Sequence, residues 1–397
     1  MELLPIYEQL LNLPTIAITH VEVKPKTVLI DCQTRQPTQT CPTCGQLTST
    51  VNQYYARTLR DLNMGPRQVQ LRVSVRQFWC KDCPRYFTET LDFADLGKEH
   101  THRQADYMFC LARKQSYTEV AAIVDTSPKT VERVVLAHCE RLIDLPARYA
   151  RVRRLGIDEQ SHRKGKKNFF CVLTDLDRGT LLDLLPNRKK ENLVAHFEQL
   201  GPAFCQQITD VSCDYWDGYI GAAQQCFPQA NLILDRFHVV KLLNGAVDTF
   251  RRELRQTDGD NAVFKRLKWV LYKQYHTLSD AELDDLDAAF AQSPTLKAIY
   301  WTREEFHHVL DNSTSVEQAL TGLETWMAQV SQDGLRAFDK FIKTLTQTKC
   351  YIANYVRDYL SNAVTEGLNN LIRSIRRTAF GMTNFNNLRL RVLAISD

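Results

Sequence analysis

Arg154-Leu155-Gly156-Ile157-Asp158-Glu159 opens the part of the chain whose reading decides the fold. Two further apolar runs follow closely, at 169–173 and 180–185. Turn residues separate the three runs, Lys164-Gly165-Lys166 first and then Asp177-Arg178-Gly179. Short apolar runs bounded by such punctuation predict a three-stranded antiparallel meander. Downstream the texture alternates: a helical stretch at 191–200, a strand at 207–213, a helix at 218–226, a strand at 231–234 and a long helix starting near Arg236. Strands first antiparallel and then alternating with helices predict an α/β fold, a mixed sheet with helices on its faces.

Further toward the C-terminus, residues 245–350 carry no strand signal and read as helices throughout. Between His276 and Lys340 there are twelve acids and four basic residues, a net of −8, so this is an acidic helical insertion in a basic protein. A solvated helical surface is the simpler reading of those charges, and a spacer or protein–protein platform is the functional one. One more helix is expected at 363–377, followed by a basic tail with Arg389 and Arg391.

Toward the N-terminus, four of the twelve cysteines are paired, Cys41-x-x-Cys44 and Cys80-x-x-Cys83. In a chain with no export signal, such pairs indicate metal binding rather than a disulfide framework. The other eight are scattered and read as small buried hydrophobes. Between the pairs, Val69, Leu71, Val73 and Val75 alternate with Gln70, Arg72, Ser74 and Arg76, the period of a half-buried strand. A strand feeding a Cys-x-x-Cys turn is the layout of a zinc ribbon, with Cys41, Cys44, Cys80 and Cys83 holding one structural Zn2+. The 35 residues between Cys44 and Cys80 require a long hairpin between the knuckles.

Residues 103–140 read as helices. Ser116-Tyr117-Thr118-Glu119 is a capping box opening a helix at 117–124, and Ser127-Pro128 opens another at 129–138. With only Asp125-Thr126 between them, the two match a helix-turn-helix whose second helix offers Lys129, Thr130 and Arg133 to a DNA groove. Any two small packed helices have the same outline, and the metal ribbon beside them favours the DNA-binding reading.

The 397 residues suggest two to three domains, and an apolar fraction of 44% can bury real cores. No run approaches the roughly 18 apolar residues of a membrane span, and the first residues lack a basic leader, so a soluble cytoplasmic protein is expected. A net charge of +4 says little about a polyanionic partner. Its distribution says more: residues 151–167 hold Arg151, Arg153, Arg154, Arg163, Lys164, Lys166 and Lys167 against only Asp158 and Glu159.

Chemistry is sought among carboxylates at strand ends, because a two-metal phosphoryl site needs acidic oxygens on rigid elements about 4 Å apart. Asp158 and Asp214 are expected at the ends of the first and fourth core strands, and Glu366 opens a late helix. Three such acids repel one another unless a cation such as Mg2+ neutralises them. Glu159 is as acidic as Asp158, and Asp210 and Asp217 flank Asp214, so spacing leaves these assignments open.

Leu155-Gly156-Ile157-Asp158-Glu159, Asp235-Arg236-Phe237-His238-Val239-Val240-Lys241-Leu242 and Glu366-Gly367-Leu368-Asn369-Asn370 through Arg376-Arg377 resemble a DDE transposase of bacterial insertion sequences, of the ISL-three family. So do the tail, Gly381-Met382-Thr383-Asn384-Phe385 to Leu390-Arg391-Val392-Leu393, and the segment Arg57-Thr58-Leu59-Arg60-Asp61-Leu62. The resemblance covers nearly the whole chain. It implies an RNase H-like mixed-sheet catalytic core with an all-helical insertion, preceded by a zinc ribbon and a helix-turn-helix.

The implied domains are a zinc-ribbon region at 1–100, a helix-turn-helix at 101–150, the first part of the core at 151–244, the insertion at 245–350, and the last core helix with the basic tail at 351–397. Asp158, Asp214 and Glu366 become the catalytic acids, holding two Mg2+ (or Mn2+) ions. Asp235 becomes a structural or DNA-facing accessory. Arg373, two helical turns after Glu366, resembles a phosphate-holding base, with Arg376 and Arg377 beside it. Arg72, Arg76, Lys129, Thr130 and Arg133 are the candidate contacts to double-stranded DNA at the element ends. The implied activity is end cleavage and strand transfer into target DNA by a dimer or larger assembly of the chain. A DNA-binding regulator without catalysis, or an RNase H-like nuclease that cuts without joining, are the alternatives.

Overall fold

The computed structural model describes residues 4–161, 169–257, 262–357, 359, 363–379, 382 and 384–396. The basic positions Arg163, Lys164, Lys166 and Lys167, and Gly381 and Thr383 of the tail motif, lie outside the described residues. The chain divides into two compact units, Met1–Ile143 with Ile372–Ile395, and Asp144–Leu371.

The first unit begins with helix α1 (Leu4–Leu11) and a five-stranded sheet. Strands β1 (Ile16–Val23) and β2 (Thr27–Thr34) form a hairpin. The miniature hairpin β3 (Gln39–Thr40) and β4 (Leu47–Thr48) brackets the first Cys-x-x-Cys. The anticipated long hairpin is β5 (Val51–Met64) against β6 (Arg67–Cys80), and β7 (Arg85–Thr88) returns after the second pair. Val69, Leu71, Val73 and Val75 on β6 are all buried, which at about 1.5–3 kcal/mol per side chain makes this strand the spine of the sheet.

Helices α2 (His102–Ala112), α3 (Tyr117–Val124) and α4 (Pro128–Leu142) follow. The Ser116–Glu119 capping box is formed, and Ser127 caps α4 ahead of Pro128. Asp125 turns the chain between α3 and α4 at φ 53°, a left-handed conformation that a short polar residue tolerates. The Arg57–Leu62 motif now has a structural explanation. On β5, Arg60 donates to the Val124 carbonyl at the end of α3 (2.7 Å), and buried Asp61 accepts from Thr101 Oγ1 and Arg103 Nε at the start of α2 (each 2.7 Å). The motif joins sheet to helices.

The second unit opens with α5 (Leu145–Tyr149) and contains the meander: β8 (Arg154–Ser161), β9 (Phe169–Asp175) and β10 (Thr180–Leu185), all antiparallel. Helices α6 (Lys190–Leu200) and α7 (Pro202–Gln207) lead to β11 (Asp210–Cys213), so the fourth strand starts three residues later than expected. Pro202 sits in the first turn of α7, where its missing N–H is harmless, and extends the helical region to Gln207. Then come α8 (Asp217–Cys226), β12 (Asn231–Leu234) and α9 (Arg236–Thr257). The sheet order is β10-β9-β8-β11-β12, with β8, β11 and β12 mutually parallel, a mixed sheet as anticipated.

Beyond α9 the described residues of the insertion hold five α-helices and no strand: α10 (Ala262–Arg266), α11 (Asp280–Gln292), α12 (Pro294–Asn312), α13 (Val316–Gln332) and α14 (Asp339–Ala353). Asp284, Asp285 and Asp287 are exposed while Leu286 and Ala289 are buried, the amphipathic pattern of a solvated helix. Fully buried Arg303 pins α12 to α9, donating to Asn244 Oδ1 (2.7 Å) and to the Lys273 carbonyl (3.0 Å).

Helix α15 (Ala363–Thr378) and helix α16 (Phe385–Ser396) end the chain. Arg391, expected on a basic tail, is buried: it donates to the carbonyls of Ala112 and Gln115 and lies over the Tyr117 ring at 4.7 Å. The reason is the apolar face of α16, where Ala394 joins Met108, Val120 and Val135 in one core cluster. Burial of the unpaired cysteines is also mixed. Cys32, Cys139, Cys171 and Cys213 are buried, whereas Cys110 and Cys350 sit exposed on helix surfaces.

Candidate active site and metal centres

The four paired cysteines converge. Cys41 and Cys83 Sγ lie 3.4 Å apart, Cys44 and Cys80 Sγ 3.5 Å apart, and all four sulfurs fall within 4.8 Å of one another. The first knuckle closes through Gly45 N–H to the Cys41 carbonyl (2.9 Å), with Gly45 at φ 75°, where glycine avoids strain. Backbone N–H groups at Cys44 and Thr43 lower the Cys41 thiol to about 6, whereas hydrogen bonding to Cys41 and burial raise Cys83. A set of four thiols, one already favouring the thiolate, fits a tetrahedral soft-metal site.

The second constellation is set by strand register. Ile157 pairs with Cys213, and Cys213 with Leu234, so Asp158, Asp214 and Asp235 leave three neighbouring parallel strands in a row. Asp158 does not end its strand as expected: β8 continues to Ser161 along β9, and only its pairing with β11 stops at Ile157. The row lies at the carboxyl edge of parallel strands, where open α/β sheets place their ligand sites.

Asp158 Oδ1 accepts from Glu159 N–H (2.6 Å) and Oδ2 from Asn369 Nδ2 (2.6 Å). Burial, and then the neighbouring Asp214 carboxylate, push the Asp158 carboxyl up to about 7. Asp214 is buried, and its Oδ1 lies 3.0 Å from His238 Nδ1. His238 also reaches Asp235 Oδ2 at 3.3 Å. Burial alone would lower the His238 pKa, but the two carboxylates carry it to about 10. Asp214, Asp235 and His238 thus form a second cluster of ligand-type atoms within 4.8 Å. Sequence reasoning missed His238; the Asp235-x-x-His238 spacing at a helix start was the available signal.

The competing acids separate clearly. Glu159 points to the other face of β8, where Arg188 Nη1 holds both its oxygens at 2.7 Å and Tyr219 donates at 3.3 Å. Arg188 is itself stacked against Trp216 (4.0 Å) and Phe169 (4.3 Å). Asp210 sits at the opposite end of β11, bonded to Thr209 Oγ1 (2.7 Å) and Asn231 Nδ2 (3.0 Å). Asp217 is in the first turn of α8. Glu366 is exposed on α15 and does not join the clusters above; the α15 residue that touches Asp158 is Asn369, one turn later.

The expected DNA contacts fall into two groups. Lys129 and Arg133 are exposed on α4, with Thr130 half-buried between them, and Arg373 and Arg377 are exposed on α15 with Arg376 half-buried. Arg72 pairs with Asp31 at the surface of the sheet. Arg76 is committed to the interior instead, bonded to buried Glu89, to Thr34 Oγ1 (2.6 Å) and to the Gln36 carbonyl (2.6 Å).

Two family models match the chain. The transposase family model of the ISL3 DDE type matches residues 155–392, and the model for the zinc-finger of transposase IS204/IS1001/IS1096/IS1165 matches residues 37–83. The chain belongs to the ISL3 family of DDE transposases, enzymes of insertion sequences. Among curated relatives it is 27% identical, over 86% of this chain and 84% of the other, to the transposase for insertion sequence element IS1001 of Bordetella parapertussis. It is 26% identical, over 86% and 82%, to the transposase for insertion sequence element IS1557 of Mycobacterium tuberculosis. No described helix is long and apolar enough to cross a membrane.

Proposed function

We propose that this transposase binds the terminal inverted repeats of its element, cuts DNA at the ends and joins them to target DNA, with Asp158, Asp214 and Glu366 as its catalytic acids. The observation that carries the reading is the adjacency of Asp158 and Asp214 in strand register, at the carboxyl edge of the parallel strands. Oxygen donors held this way suit Mg2+ or Mn2+ rather than a soft metal. Two such ions, when bound, would neutralise the acids, activate water and stabilise the departing oxygen. Glu366 would join from α15.

In the first step water attacks the phosphorus at the element end, and the 3′-oxygen leaves with a proton. In the second, that 3′-hydroxyl loses its proton, attacks a target phosphorus and displaces the target's own 3′-oxygen. The meander followed by two parallel strands supports an RNase H-like core. The capped pair α3 and α4 supports a helix-turn-helix in which Lys129, Thr130 and Arg133 meet the DNA, with Arg72 on the sheet and Arg373, Arg376 and Arg377 on α15 as phosphate contacts. Arg76 is withdrawn from that set, since its donors are used inside the sheet region. Zn2+ in the four-cysteine site would fix the fold of the ribbon. Joining two ends calls for two copies, most simply related by a two-fold axis.

Incubation of the full chain with end DNA, target DNA and Mg2+ tests the reading: cleaved ends and joined products are expected. Cleavage without joined product would leave only a nuclease. Binding with neither product would leave a regulator.

A further inference from the structure

Asn369 is the point where α15 meets the strand of the first acid. Its Nδ2 donates to Asp158 Oδ2 at 2.6 Å, while its Oδ1 and its backbone carbonyl both accept from Gln160 Nε2, at 3.1 and 2.6 Å. Gln160 and Asn369 are both buried, 5% and 4% exposed. Gln160 is two residues after Asp158 on β8 and so shares its face.

We infer that Gln160 and Asn369 form an amide clamp that presets Asp158 for its cation and registers α15, hence Glu366, on β8; this rests on the reading of these acids given above. An amide has two different ends. With its oxygen turned to the Gln160 N–H2, Asn369 must turn its own N–H2 toward Asp158. Asp158 then has one oxygen on Asn369 and the other on the Glu159 N–H, so its rotamer is set before any ion arrives.

Glu366 lies three residues before Asn369, one helical turn. Pinning Asn369 therefore fixes the offset between the backbone of the third acid and the side chain of the first. The exposed Glu366 side chain does not have to hold its own helix in place. Gln160 and Asn369 are positioning residues: they act through Asp158 and α15. Partners that orient metal-binding carboxylates typically alter metal affinity by 10–100-fold when removed.

Two bland functions compete with the clamp. The amides could merely satisfy buried polar groups, or merely hold the helix. Both predict a loss of stability with no change in metal binding.

The test uses the full-length protein with its zinc retained, and Mn2+ as the probe. Mn2+ binding is followed by paramagnetic resonance, counting only the sites lost in Asp158→Asn, and the Mg2+ dependence of end cleavage is measured beside it. Asn369→Ala is expected to weaken Mn2+ binding 10–100-fold and to raise the Mg2+ needed for half-maximal cleavage by a similar factor, with end binding unchanged. Gln160→Glu keeps the volume but sets a carboxylate against two oxygens, so it should reproduce the effect. The double variant should cost no more than the worse single one, because the pair acts as a unit.

If Asn369→Ala does not fold, Gln160→Glu carries the same readouts alone. A lowered melting temperature with unchanged Mn2+ affinity and Mg2+ dependence would overturn the clamp and leave the assignment of the acids standing. If Asp158→Asn itself leaves Mn2+ binding intact, the assignment of the acids fails, and the clamp with it.

Discussion

Asp158 and Asp214 stand side by side because Ile157 and Cys213 are register partners in neighbouring parallel strands. The same strand geometry sends Glu159, the next residue, to the opposite face, into the hands of Arg188 and Tyr219. One step along β8 thus separates an acid set beside another carboxylate from an acid already paired with a guanidinium.

Glu159→Gln should accordingly lower stability rather than chemistry. Breaking a charge-assisted, largely buried pair typically costs about 1.5–3 kcal/mol. Urea unfolding should shift by that order, with end cleavage under saturating Mg2+ kept within a few-fold of the parent. Loss of cleavage in a normally folded Glu159→Gln protein would place Glu159 in the chemistry instead.

This pair of acids also shows how far the residues alone could be read. The meander, the alternation of 69–75, both helix caps and the long hairpin were visible because each depends on local period or on punctuation by Gly, Pro and Ser. Which of two consecutive acids lies beside Asp214 depends on register between strands about 55 residues apart, a non-local quantity. Arg391 and Arg76 were misread for a related reason. A basic residue in sequence gives no sign of carbonyls at Ala112 and Gln115, or of Glu89, waiting for it in space. His238 belongs to the same class, since only the fold brings Asp214 to it.

The cysteine site makes a prediction about metal. About one Zn2+ per chain should co-purify, and a strong chelator should unfold the ribbon, because ligand binding supplies folding free energy there. Cys83→Ser should lose the ion and the binding of end DNA together. Metal analysis showing no Zn2+ in protein never exposed to chelator, with full end binding, would dispose of this role.

End recognition should behave as a phosphate-dominated contact. Affinity for end DNA should fall steeply with salt, and Lys129→Ala or Arg133→Ala should each weaken binding and reduce the salt slope by about 1 if the lost contact is to a phosphate. A base contact would instead relax preference for the cognate end at about 1–3 kcal/mol. Arg76→Ala should unsettle the fold around Glu89 without either signature. Unchanged affinity and slope in the α4 variants would remove that helix from the interface.

Asp158→Asn, Asp214→Asn and Glu366→Gln should each abolish cleavage and joining while end binding stays nearly intact. The amide keeps the shape of the side chain but not the charge that holds a divalent ion. Without both ions the attacking and leaving oxygens are not stabilised, and the barrier rises by several kcal/mol, a rate loss of at least about 100-fold. Asp210→Asn should be mild, since Asp210 lies at the far end of β11 and is already bonded to Thr209 and Asn231. Asp235→Asn should be intermediate, because it frees His238 from one of its two carboxylates without removing Asp158 or Asp214. Gel assays of end cleavage and strand transfer, with binding measured in parallel, order the five variants. An active Asp214→Asn beside a dead Asp210→Asn or Asp217→Asn would move the second acid and leave the fold untouched. Activity in all three triad variants would end the two-metal account of this transposase.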